Sequence, residues 1–126
     1  TRFAYDNVSV DTTRLEAEGA VSVSLDVCNI GERQGSTVIQ LYVAPENAPL
    51  ARPEKELKAF AKIALSAGEA GRVTLDLDAR AFAYFDVDRQ LWIAAPGAYR
   101  LILATDALSA IATETIELQG EISLKP

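Results

Sequence analysis

Two pairs of carboxylates stand close together in the chain, Asp76 with Asp78 and Asp86 with Asp88. Two carboxyl groups facing each other across a cleft can serve as general acid and general base. Each pair also has a plainer use. Asp76 and Asp78 share the polar parity of a strand, the pattern of a solvated face, and Asp86 and Asp88 lie in a turn, where Asp holds local backbone geometry. The structural use is expected for both pairs. A calcium loop needs a denser array of oxygen ligands and a Gly at its bend, which Asp86–Gln90 lacks.

The remaining reactive types are sparse. There is no histidine, so the commonest general base and metal ligand is missing and a serine–histidine triad is ruled out. Cys28 is the single cysteine; without a His partner it is expected to be an incidental thiol. Gly68-Glu69-Ala70-Gly71 has no following Lys-Ser/Thr and no helix to cap, so it is no phosphate loop. The expectation is a chain without catalytic residues, cofactor or metal.

The elements around these residues alternate with a period of two. Val21, Val23, Leu25 and Val27 alternate with Ser22, Ser24, Asp26 and Cys28, as in a half-buried strand. The turn 29–35 then leads into Thr37–Val43, and the two strands are expected to form an antiparallel pair. Ala44–Pro53 carries Pro45, Pro49 and Pro53 and is expected to be a long exposed connection. Glu54–Leu65 places Leu57, Ala59, Ala61, Ile63 and Leu65 on one parity, which predicts a strand, with a short helix as the alternative. A turn at 66–71 precedes Arg72–Asp78, another alternating strand. Ala79–Phe85 fits a helical turn or a strand start, Leu91–Ala94 carries Trp92, and Pro96-Gly97 precedes the alternation of Tyr99, Leu101 and Leu103. A last strand is expected from about Ile111 to Leu118, with 119–126 as a tail. Seven to eight short strands with regular turn signals predict an all-β, antiparallel two-sheet sandwich of immunoglobulin or fibronectin type III-like shape, in a single domain spanning 1–126.

Bulk composition agrees with one globular domain. The 126 residues are 49% hydrophobic and 24% charged, with a net charge of −6. A chain of this length buries roughly two-thirds of its unfolded surface and needs no disulfide or metal to fold. The negative surface repels phosphate backbones, which argues against nucleic acid as a partner. No apolar run approaches the roughly 20 residues of a spanning helix, which argues against a membrane one. With no methionine in the sequence, an excised domain or a processed protein is expected.

An ordered set of stretches carries a family likeness. They are Val27-Cys28-Asn29-Ile30-Gly31, Gly35, Val38-Ile39-Gln40-Leu41-Tyr42-Val43, Arg52-Pro53, Lys55-Glu56-Leu57-Lys58-Ala59-Phe60, Ala67-Gly68-Glu69, Phe82–Asp86, Trp92 and Pro96-Gly97-Ala98-Tyr99. Over about residues 3 to 104 the chain resembles the fibronectin type III-like C-terminal domain of glycoside hydrolase family 3, the β-glucosidase and β-xylosidase group. It departs from the pattern at Ala59 and Ala104, where glycine is frequent, and at Ala67, where proline is usual. The resemblance implies a non-catalytic module at the C-terminal end of a larger glycosidase, whose nucleophile and acid/base lie on other domains. It implies those catalytic domains as partners and a periplasmic or secreted location. A carbohydrate-binding or adhesive sandwich is the alternative, with carbohydrate as the further candidate partner.

Some strands break clean alternation, and these mark candidate contacts with the rest of a larger enzyme. Val38 and Tyr42 lie on the opposite parity to Ile39, Leu41 and Val43, and Phe60 shares its parity with Lys58 and Lys62. For Tyr42 and Phe60 two uses stand side by side, a strand with mixed faces or an apolar patch that docks on a neighbouring domain. Arg52, in the proline-rich connection, is the cation there best suited to a carboxylate or sugar hydroxyl. Trp92 is expected in the core.

Overall fold

The computed structural model describes residues 2–12, 15, 19–46, 55–106 and 109–125. Ten strands occur among them: β1 (Phe3–Val10), β2 (Ala20–Asn29), β3 (Gly35–Pro45), β4 (Glu56–Leu65), β5 (Ala70–Asp78), β6 (Tyr84–Asp86), β7 (Leu91–Ala94), β8 (Gly97–Asp106), β9 (Ser109–Leu118) and β10 (Ile122–Leu124). All pairings are antiparallel. They build a three-stranded sheet in the order β1-β2-β5, a four-stranded sheet β4-β3-β8-β9 and a small sheet β10-β7-β6. The all-β antiparallel sandwich expected from the sequence is the observed fold.

Period two explains how the sheets make a core. In β2, Val21, Val23, Leu25 and Val27 are at most 1% exposed, and their register partners Leu77, Leu75 and Val73 on β5 are also buried. Ile39, Leu41, Val43, Leu101, Leu103, Ile116 and Leu118 line the facing side of the four-stranded sheet and join the same cluster. Each fully buried aliphatic side chain contributes about 1.5–3 kcal/mol. Phe82 closes one end of this core and meets the ring of Tyr99 edge-on at 5.2 Å. The Tyr99 hydroxyl donates to the Ala95 carbonyl at 2.6 Å.

Several expectations are corrected. Strands β2 and β3 do not form a hairpin: β2 pairs with β1 and β5, while β3 pairs with β4 and β8. The apolar parities of both strands face the same core from opposite sides, so the intervening turn must cross between sheets. Asn29 enforces that crossing. It ends β2 on the inward parity, is fully buried, and donates through Nδ2 to the carbonyls of Arg33 and Leu65. Its Oδ1 accepts from the Gly31 amide.

Residues 119–126, expected as a tail, contain β10, which pairs with β7 and buries Ile122. The strand count of seven to eight was low because β6, β7 and β10 are only three or four residues long, too short to show a period. Ala79–Phe85 is both things its sequence allowed: Ala79–Phe82 forms a 3₁₀ turn capped by Asp78, and β6 starts at Tyr84. Strand β3 runs through Ala44 to Pro45, so the connection starts later than expected. Pro45 sits at the last rung, where a missing N–H is tolerated. Residues 47–53 of that connection, including Pro49, Arg52 and Pro53, lie outside the described residues.

Strand β4 is a strand, not a helix, but its parity breaks once. Leu41 pairs with Ala59 and Tyr42 with Leu57, leaving Lys58 as the extra residue of a β-bulge. Ala59, Ala61 and Ile63 pack on the core, whereas Leu57, expected with them, is 46% exposed.

Candidate functional site

Three of the four paired aspartates, Asp76, Asp78 and Asp86, accept bonds of the structural kind expected. Asp76 accepts from the Ser22 hydroxyl on the neighbouring strand. Asp78 Oδ1 accepts from the Arg80 amide and caps the 3₁₀ turn. Asp86 Oδ1 accepts from the amides of Asp88 and Arg89, closing the β6–β7 turn. Cys28 is a free, half-buried thiol on the outer parity of β2. Among the described residues no group of three or more Cys, Asp or Glu side chains is placed to hold a metal.

The outer faces of the two large sheets differ in kind. On β1-β2-β5 the outward side chains bond to one another across strands, a pattern that suits a surface in water. Ser24 pairs with Thr74 at 2.9 Å. Arg72 donates to Asp26 at 2.7 Å and to Ser9 at 2.8 Å. Asn7, in the left-handed region (φ 52°) at a bulge of β1, donates Nδ2 to Asp26 at 2.7 Å. These bonds from Asn7 and Arg72 hold the Asp26 carboxyl below its ordinary pKa.

On β4-β3-β8-β9 the outward side carries an apolar strip. Val38, Leu57 and Phe60 are 37%, 46% and 69% exposed. Phe60 pairs with Gln40, Leu57 with Tyr42, and Lys62 with Val38, so these residues lie on adjacent rungs of two strands. Ile102, opposite Tyr42 on β8, continues the strip. Exposed apolar side chains in one contiguous patch mark contact sites more often than scattered ones do.

Of the residues singled out by sequence, Phe60 and Tyr42 come together on this face. Phe60 stands out of it. Tyr42 forms its floor: it is 8% exposed, its hydroxyl donates to Gln40 Oε1 at 2.9 Å, and the Lys55 ammonium lies 4.8 Å from its ring centre. Arg52 lies outside the described residues. Leu57 was missed, because strict alternation assigns it inward and a one-residue bulge gives no local sequence signal of its own. Trp92 packs on the rim of the core without being fully buried. Its ring is engaged by Phe85 edge-on at 5.4 Å and by the Arg80 guanidinium at 5.5 Å.

Comparison with known proteins places this architecture. Residues 37–107, more than half of the chain, match the model of the fibronectin type III-like domain family. All 126 residues align with a β-glucosidase of Rhizobium radiobacter at 41% identity, covering 15% of that protein. An exo-α-(1→6)-L-arabinopyranosidase of Bifidobacterium breve is 37% identical over 83% of the chain, which covers 14% of that protein. The crystal structure of a Bifidobacterium adolescentis GH3 β-glucosidase superposes with a TM-score of 0.86 at 36% identity, over 93% of this chain and 17% of that one. The chain thus spans about one-sixth of the length of these relatives. It belongs to the fibronectin type III-like domain family, in the form that glycoside hydrolase family 3 β-glucosidases carry.

Proposed function

We propose that the chain is a structural accessory domain of a larger family 3-type glycoside hydrolase, packing on catalytic domains that hydrolyse terminal β-linked sugars. The observation that carries this is the alignment of the entire chain with about one-sixth of a β-glucosidase. Within the chain Asp76, Asp78 and Asp86 accept cap, turn and cross-strand bonds, which supports a non-catalytic role. A similar domain is present in a relative named for arabinopyranose cleavage, so the sugar specificity of the parent is assigned to other parts of it.

Phe60 and Tyr42, with Leu57 and Val38 beside them, are proposed as the contact with the catalytic domains, and Arg52 as a contact from the connection. The contrast between a self-bonded polar face and one that carries an exposed apolar strip supports the four-stranded sheet as the docking side. The isolated chain, incubated with aryl β-glycosides and titrated by calorimetry with soluble glucan and xylan, should show neither turnover nor heat. Saturable heat at millimolar sugar would replace this reading with a carbohydrate-binding module.

A further inference from the structure

The apolar strip is flanked by positive charge, on a protein whose net charge is −6. Lys62 is exposed at the rung of Val38. Arg100 lies on the outward parity of β8, one step along that face from Ile102, between the buried Tyr99 and Leu101. Lys55 lies over the ring of Tyr42. Glu117, opposite Ala98 on the far edge strand, is the carboxylate on the outward parity of β9. Glu56 is paired with Lys58 at 3.2 Å and adds no net charge. On the opposite side of the sandwich Asp26 and Asp76 face outward with Arg72. Lys55, Lys62 and Arg100 thus stand against the apolar strip itself, while the exposed carboxylates of this face, Glu117 and Glu46, lie further out on the rung of Ala98.

From this we infer that the surface mating with the Val38–Leu57–Phe60 strip is apolar and rimmed by Asp or Glu, and that it lies on the catalytic part of the same polypeptide. The inference rests on the docking proposed above and adds the chemistry of the partner. Burial of Leu57 and Phe60 supplies the contact energy, which salt does not screen. Lys62 and Arg100, at the rim, fix the register by pairing with carboxylates and exclude like-charged surfaces. The bulge at Lys58 is what makes the strip continuous, because without the extra residue Leu57 would face the core.

Hydrogen exchange of the β4 amides separates the inference from the reading beneath it. The parent protein and the isolated chain are compared at low and high salt, in wild type, in Lys62→Glu with Arg100→Glu, and in Phe60→Ser. The account expects β4 to be more protected in the parent than in the isolated chain. Charge reversal should reduce that gain by about tenfold at low salt, with less effect at 1 M NaCl, where the screening length is roughly 3 Å. Phe60→Ser should reduce it at both salt concentrations. The isolated variants, measured alongside, show whether each substitution leaves the sandwich itself intact. A gain in the parent that ignores charge reversal and salt overturns the acidic rim and leaves the docking intact. No gain in the wild-type parent, or a gain confined to β1 and β5, overturns both.

Discussion

Replacing Asn29 with alanine should cost this domain about 2–4 kcal/mol, a large fraction of the roughly 5–15 kcal/mol that holds a domain together. The figure follows from three hydrogen bonds made by one fully buried side chain. Nδ2 donates to the Leu65 carbonyl at 3.0 Å in buried surroundings. Leaving that carbonyl without a donor costs about 1–3 kcal/mol. The bonds to the Arg33 carbonyl (2.8 Å) and from the Gly31 amide (2.9 Å) are nearer solvent. Water can replace part of them, so each loss lies at the lower end of about 0.5–1.5 kcal/mol. Urea denaturation followed by Trp92 fluorescence measures the difference, with the slope unchanged if only the native state is affected. Asn29→Asp keeps the acceptor for Gly31 but loses both donors and puts a charge beside two carbonyl oxygens. Burial there raises its folded pKa, so Asn29→Asp should be worse than alanine at neutral pH and recover partly on acidification. An Asn29→Ala cost below about 0.5 kcal/mol, or an aspartate variant as stable as wild type at pH 7, would refute the clamp.

Two further outcomes follow from named contacts. Asp26 is held below its ordinary value by the bonds from Asn7 and Arg72, so it contributes stability above its unfolded pKa of about 3.9 that is lost as pH falls through its lower folded value. Carboxyl-carbon NMR titration should show Asn7→Ala moving that midpoint upward, and an unmoved midpoint would remove Asn7 as a cause. Tyr99→Phe removes the hydroxyl bond to Ala95 and should cost about 0.5–1.5 kcal/mol, while Tyr99→Ala also empties a core site beside Phe82 and should cost several times as much. Thermal melting of the two variants checks that order.

Much of the fold was legible because the strands that build it alternate cleanly. In β2 and β5 each apolar residue predicted inward is buried, since a half-buried strand leaves its parity in the sequence. What alternation cannot report is which sheet a strand joins. The β2–β3 turn reads as a hairpin by length and composition, yet it crosses between sheets. The signal for that was Asn29, a polar residue at the next inward position after Val21, Val23, Leu25 and Val27. An amide in that place requires buried carbonyls to bond. The bulge at Lys58 was invisible for a different reason: Leu57, Ala59 and Ala61 alternate well enough, and only pairing with Tyr42 shows that the register has slipped. Strand β10 escaped because three residues carry no period.

The candidate site was half legible. Phe60 and Tyr42 were found as breaks in alternation, and they share one face. The sequence could not tell a covered tyrosine from an exposed phenylalanine, because burial on an outer face depends on which side chains fold over it, here Lys55 and Gln40. Leu57 was lost to the bulge. The expectation of no catalytic residues rested on simpler chemistry, since a chain without histidine, whose close aspartates fall on a strand face and in a turn, offers little for acid–base work.

The most direct test of the central claim is the size and activity of the native gene product, detected in source cells by an antibody raised against this domain. The account predicts a polypeptide several times longer than 126 residues that hydrolyses aryl β-glycosides. A product of only this size, or a long one without glycosidase activity, would contradict it.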